Sequence, residues 1–172
     1  MFEGELPRAA GRTGVGCLFG EKRLKGIAVK GDAPPKPADP AALRRFVRGV
    51  NRRAQERAAG LIRFGTAGGV PKRELSGDLP VRNFSQGSWP GAAQISGQAY
   101  ATMHPRSHAC AMCPIGCAKR VTLGSGQHIA QPEYETAGAL GSNLLIDDPD
   151  GLARLNETCN RLGLDTISAG VV

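Results

Sequence analysis

Residues 148–168 read DPDGLARLNETCNRLGLDTIS, and this stretch decides the fold class. Asp148 followed by Pro149 forms an N-cap and a first helical residue, and Asp150 suits the positive end of a helix. Leu152, Leu155, Cys159 and Leu162 recur at helical spacing and predict one apolar stripe, which Gly163 ends in a left-handed C′ position. Asp165 then caps a further helix opening at Thr166. The sequence stops at Val171-Val172 within that helix, as a truncated element would.

Outward from this helix, the same signals recur at 39–60. Asp39-Pro40 starts a helix whose apolar positions are Leu43, Phe46, Val47, Val50, Ala54 and Ala58, and Gly60 is expected to stop it. Its other face carries Arg44, Arg45, Arg48, Arg52, Arg53 and Arg57. Before it, DAPPKPADP (32–40) reads as a linker, with a domain boundary at 33/34. Residues 11–20 read as a glycine-rich turn and RLKGIAVKG (23–31) as a short strand. The stretch 61–93 is expected to be mostly irregular. Short helices are predicted within 94–104 and over Glu133 to about Leu140, the latter entered through Pro132. The expected architecture is mainly α, preceded by a short β segment.

Composition narrows the function classes. The chain has 172 residues, 41% hydrophobic, with a net charge of +7 and five cysteines, enough for one core and far from a disordered or collagenous composition. No apolar run approaches the ~18 residues of a membrane helix. The opening MFEGELPRAA lacks a secretory signal's apolar region, so the expected location is cytoplasmic, where thiols stay reduced. The positive charge is concentrated on the 44–57 helix without interleaved aromatics. That reads as a solvated helix face before it reads as a nucleic-acid surface.

Cys110, Cys113 and Cys117 in HACAMCPIGCAKR form a C-x2-C-x3-C triplet, with Pro114 and Gly116 supplying turns that bring three soft thiolates to one side. Three local cysteines and one distant fourth suit a cubane iron–sulfur cluster, while His104 and His108 keep a zinc site open. Cys159 reads as a small core hydrophobe, and Cys17 has no partner nearby in sequence. Gly11, Gly14 and Gly16 are in the wrong order for a dinucleotide fingerprint. Glu133 and Glu135, two residues apart, do not share a helix face and form no acid–base pair by spacing.

Taken together, AGRTGVGCLFGEKRLKGIAVKG (10–31), RFGT and GDLPVRNFSQG (63–87), ISG (95–97), CAMCPIGCAKRV (110–121), PEYETAGALGSNLLIDD (132–148) and NETCNRLGLDTIS (156–168) resemble the tungsten-containing aldehyde:ferredoxin oxidoreductase family. The resemblance implies the helical domain of that family, preceded by the end of an N-terminal α+β pterin-binding domain (1–33) and itself truncated (34–172). It implies a tungsten, or molybdenum, bis-pterin and a [4Fe–4S] cluster. The activity implied is oxidation of a small aldehyde to a carboxylate, with ferredoxin as electron acceptor. Cys110, Cys113 and Cys117 would be three cluster ligands, and Glu135 a proton acceptor near the metal. Ala10, Gly11 and Arg12 would reach the pterin from one side. Asn160, Gly163, Leu164 and Asp165, in the D-x-x-G-L-(C/D) motif, would reach it from the other. Asn160 stands where that motif often has Asp, and the family's fourth cluster cysteine lies beyond this sequence. The remaining domains of a longer enzyme would be partners, a homodimer is compatible with the resemblance, and nucleic acid is disfavoured. Two other classes stay open: a small iron–sulfur electron-transfer protein, and a basic metal-stapled nucleic-acid module.

Overall fold

The computed structural model describes residues 8–172, together with the backbone of two short antiparallel strands, β1 (Phe2–Glu3) and β2 (Leu6–Pro7). Most of the opening stretch that argued against a secretory signal lies outside the described side chains. Thereafter the chain is mainly α: α1 (Val15–Glu21), α2 (Pro40–Arg57), α3 (Ala59–Phe64), α4 (Val70–Leu75), α5 (Gly97–Tyr100), α6 (Tyr134–Thr136), α7 (Pro149–Leu162) and α8 (Thr166–Ala169). One antiparallel sheet, β3 (Arg106–His108), β4 (Ala118–Thr122) and β5 (His128–Ala130), lies between α5 and α6.

Helix α7 starts and stops where its caps require. Asp148 accepts from the Asp150 amide at 3.0 Å, and Gly163 closes the helix at φ 74°. Its buried face, however, is Leu152, Ala153, Asn156, Glu157 and Cys159, whereas Leu155 and Leu162 face solvent. The stripe is therefore rotated from the expected one, because Asn156 and one carboxylate oxygen of Glu157 reach polar partners as these residues go inside. The Asn156 amide donates to the Ala130 carbonyl at 3.3 Å, and Glu157 accepts from Arg161 at 2.7 Å.

Two apolar clusters form the core. Leu152 and Cys159 join Val70, Leu79, Val81, Ile95 and Leu140 in the larger, and Ala153 joins Tyr100, Val121, Leu123 and Ile129 in the smaller. Each fully buried Leu, Ile or Val contributes roughly 1.5–3 kcal/mol before entropy is counted. Strand β4 alternates accordingly: Lys119 and Val121 point inward, while Ala118, Arg120 and Thr122 lie on the half-exposed face. Gly97 stands where an added Cβ would come within 2.2 Å of the Phe64 carbonyl oxygen, so α5 and α3 meet backbone to backbone.

Several expectations are corrected. Residues 23–31 form no strand, and Ile27 and Val29 are exposed; Leu24, Ile27 and Val29 do not keep the period of two that a half-buried strand needs. The glycine-rich stretch 11–20 is a 3₁₀ turn (Arg12–Gly14) followed by α1, not a plain turn. Helix α2 begins at Asp39 as expected, its carboxylate accepting from Ala41 and Ala42 at 2.9 Å. Gly60 does not stop it, since the chain turns at Ala58 and runs on as α3, ending at Gly65. A single interior glycine costs only about 1 kcal/mol relative to alanine. The α2 stripe has the right period but stays exposed at Leu43, Phe46 and Val47.

The stretch 61–93 is more ordered than expected. It forms α3, a 3₁₀ turn at Thr66–Gly69 and α4, and contributes Ala67, Val70, Leu79 and Val81 to the core. The predicted 133–140 helix is one turn, α6, widened into a π-helix at Ala137–Gly141 whose residues are all buried. The 94–104 helix resolves into a 3₁₀ segment (Pro90–Ile95) and α5. Among the described residues no helix is long and apolar enough to cross a membrane.

Candidate cofactor and metal-binding site

A cavity of about 140 Å³ opens where residues 8–12 meet the far end of the chain. It is lined by Arg8, Ala9, Gly11, Arg12, Glu133, Thr136, Asn156, Asn160, Leu164, Asp165 and Thr166. The meeting is set by backbone contact. A Cβ added to Gly11 would lie 2.8 Å from the Asp165 amide nitrogen and 3.1 Å from the Leu164 carbonyl carbon. On that side α7 terminates with the Leu164 amide donating to the Cys159 carbonyl at 2.8 Å, which turns Asp165 back to cap α8.

Of the expected pterin-binding residues, the structure brings Gly11, Arg12, Asn160, Leu164 and Asp165 to this cavity. Ala10 and Gly163 are not among its lining residues and serve its walls. The Ala10 carbonyl accepts from Gly16 at 2.9 Å, and Gly163 provides the helix stop. Asn160, at the Asp position of the motif, donates its amide to the Asn156 carbonyl at 2.8 Å and side-chain oxygen at 3.1 Å. The residue is thereby fixed on the helix while still lining the space.

The paired glutamates take different positions. Glu133 lines the cavity, faces the Arg8 guanidinium at 3.6 Å and accepts from the Thr66 hydroxyl, whose oxygen in turn accepts from the Tyr134 amide at 2.9 Å. Glu135, the expected proton acceptor, is exposed at the first turn of α6 and is not a lining residue, although its neighbour Thr136 is. Thr136 and Thr166 share a hydrogen bond at 2.8 Å, tying α6 to α8. Sequence reasoning missed Glu133, Thr136 and Asn156 as lining groups. The signal lay in the same P-E-Y-E-T and N-E-T-C-N stretches, but helix periodicity alone could not show which side faced the N-terminal loop.

Asp165 is held below the usual carboxylate range. The Ser168 hydroxyl contributes most (2.7 Å), burial opposes it, and the Ser168 and Ile167 amides and nearby Arg12 add to the lowering. A depressed folded-state pKa contributes stability above the unfolded value, lost as pH falls through the folded value. Asp165→Asn is therefore expected to be less stable than the parent at pH 7, with the difference shrinking below about pH 4. Urea midpoints measured at both pH values check this, and an equal difference at both would remove the carboxylate from the account.

The cysteine triplet occupies the connection between β3 and β4, with Cys110 exposed and Cys113 and Cys117 half-buried. The Cys113 amide donates to the Cys110 carbonyl at 3.0 Å. The Cys113 thiol is lowered by the Gly116 and Ile115 amides, the Ile115 nitrogen lying 3.5 Å from its sulfur. Beneath the loop, Lys119 is 3% exposed, and its ammonium donates to the Gly116 carbonyl at 2.8 Å and to Ser107 at 2.9 Å. Burial pushes the Lys119 pKa down, while Cys117 and Glu133 pull it back up. A Cys113 thiol met by amide donors, in a loop above a buried ammonium, fits an anionic iron–sulfur cluster in donor chemistry. Among the described residues, however, no three Cys, His, Asp or Glu side chains converge into a metal-holding set, so neither the cubane nor the zinc alternative is preassembled. Cys159 is buried in the larger cluster, as its place on α7 implied, and Cys17 is exposed.

The family model described as "Aldehyde ferredoxin oxidoreductase, domains 2 & 3" matches residues 43–172. The chain is 42% identical over 167 residues to a tungsten-containing aldehyde ferredoxin oxidoreductase of Pyrococcus furiosus and 40% identical to that of Thermococcus kodakarensis, in each case over 95% of this chain and 28% of the relative. It is 29% identical over 174 residues to an aliphatic sulfonate oxidoreductase, WOR-like subunit, of Pyrococcus furiosus. The chain thus spans under a third of the length of the curated relatives it matches. By the extent of the domain match and the identity to these relatives, this chain belongs to the aldehyde ferredoxin oxidoreductase family.

Proposed function

We propose that this chain contributes one wall of a tungstopterin site and three cluster ligands to an aldehyde:ferredoxin oxidoreductase, the remaining domains supplying the rest. The observation that carries this reading is the meeting of Gly11 and Arg12 with Asn160, Leu164 and Asp165 in one cavity, about 150 residues apart in sequence. The reaction is RCHO + H₂O → RCOOH + 2 H⁺ + 2 e⁻, with each electron reducing one ferredoxin. Bound tungsten and pterin would supply the two-electron chemistry, and the protein would orient and tune them.

The chain's own groups divide the remaining work. Arg8 and Arg12 place positive charge, and Asp165 an acceptor, around the cavity, matching a heterocycle that carries both donors and acceptors. Glu133 is committed to Arg8 and Thr66 and positions the 8–12 loop. Glu135 makes no hydrogen bond or ion pair among the described residues, which leaves its carboxylate available to take the proton released as water adds to the aldehyde carbon. Cys110, Cys113 and Cys117 would hold the cluster with a fourth ligand from outside this sequence. The segment 1–33 would belong to the N-terminal domain and 34–172 to the helical one. A chain whose five cysteines are all free thiols suits the cytoplasm.

Metal and activity analysis of the full-length protein separates this reading from its rivals. Tungsten or molybdenum with pterin, and aldehyde-dependent viologen reduction, are expected. Iron alone would instead indicate a simple electron-transfer protein, and zinc alone a metal-stapled binding module.

A further inference from the structure

We propose that the outer face of the β3–β4–β5 sheet docks an acidic electron-carrier protein, an inference that rests on the oxidoreductase reading above. The pairing register puts the relevant side chains on one face. Arg106 opposes Arg120 across β3 and β4, and Thr122 opposes His128 across β4 and β5. Directly opposed residues point the same way. The opposite face is spent on the core through Val121 and Ile129 against Tyr100 and Ala153. What remains outward is a concavity of about 250 Å³ lined by His104, Arg106, Arg120, Thr122 and His128. None of these five side chains is acidic, and the Arg106 guanidinium and the His104 and His128 rings are exposed to an approaching surface.

Position then selects the occupant. Two of the three strands that build this face flank the cysteine connection, and Arg106 precedes Cys110 by four residues, a reach of at most about 14 Å along the chain. A second basic element touches the same connection. Gln55 of α2 donates to the Pro114 carbonyl at 3.4 Å, and its neighbours Arg52 and Arg53 are exposed. Positive charge around the place where electrons would leave favours a partner whose own redox centre is ringed by carboxylates. Complementary fields of this kind raise encounter rates and impose salt dependence. Nucleic acid is less well served, since no aromatic side chain lines the concavity to stack a base.

The test uses the full-length, cofactor-loaded protein and, as probe, an acidic plant-type [2Fe–2S] ferredoxin. Arg106→Glu is expected to raise the Kd for this ferredoxin at least about tenfold at low salt and to flatten its ionic-strength dependence. Iron content and viologen-linked kcat should be unchanged. Arg106→Lys should retain most of the affinity, and Arg106→Ala, a neutral change at an exposed position, should fall between. An unchanged Kd, an equal loss of viologen activity, or binding of single-stranded RNA with the same Arg106 dependence in place of ferredoxin would overturn the proposal. Arg106-dependent ferredoxin binding by a protein that oxidises no aldehyde would leave the docking face standing and remove the activity assigned above.

Discussion

Replacing Glu135 by Gln in the full-length, cofactor-loaded protein is expected to lower kcat about 100- to 10,000-fold, the range typical of a lost general acid–base group. Tungsten and iron content should stay at the parental level. The substitution keeps the size of the side chain and some of its hydrogen bonding and removes only its capacity to take a proton. Glu133→Gln should behave differently, because Glu133 is engaged by Arg8 at 3.6 Å and by Thr66. Both members of the Arg8 pair are about a third exposed, so the pair itself contributes only about 0–1 kcal/mol. Its loss should show as weaker retention of the pterin by the 8–12 loop. The readouts are kcat per bound tungsten for Glu135→Gln and bound tungsten per chain for Glu133→Gln. Full turnover by Glu135→Gln, or a loss of tungsten that matches the loss of rate, would assign the proton to another group.

This separation of the two glutamates is a tertiary result. Spacing already implied that Glu133 and Glu135 would not share a face; in the structure Glu133 is the extended N-cap residue of α6 and Glu135 lies within its single turn. Which of them faces the cavity depends on Gly11 seating against Asp165 and on Thr66 reaching across from the 3₁₀ turn, contacts made over 67 and more residues. Local chemistry was legible where it acts locally: Asp39 and Asp148 start their helices, Gly163 and Asp165 stop one and start the next, and Cys159 packs in the core. Legibility failed where a polar residue finds a distant partner, as Asn156 does at Ala130, or where an apolar run finds none, as at Leu24, Ile27 and Val29. It failed again at Arg82, Asn83 and Phe84, three consecutive residues with φ between 47° and 59°. Asn83 is a type that enters the left-handed region readily, but nothing in Arg82 or Phe84 announces it, and the Asn83 amide is held by the Asn143 side chain, 60 residues on, at 2.7 Å.

The same contrast between local chemistry and distant completion governs the cysteines. Cys113→Ser in the full-length protein is expected to abolish or sharply reduce bound iron, because an alcohol oxygen is a harder and weaker ligand for cluster iron than a thiolate. Cys113 is the most telling of the three. The Gly116 and Ile115 amides already favour its thiolate, the form that would bind cluster iron. Cys159→Ser supplies the comparison. Its thiol is buried at 7% exposure among Val70, Ile95 and Leu152, and burial raises its pKa, which disfavours the thiolate a cluster needs. A hydroxyl there should cost about 1–3 kcal/mol if it finds no partner, lowering the urea midpoint while iron per folded chain stays constant. Iron and acid-labile sulfide per chain, measured after anaerobic reconstitution alongside the unfolding midpoint, read both effects at once. The three loop cysteines do not converge among the described residues, so on the reading proposed above the loop would draw in around iron as the cluster binds. Equal iron loss from Cys113→Ser and Cys159→Ser would place the cluster elsewhere.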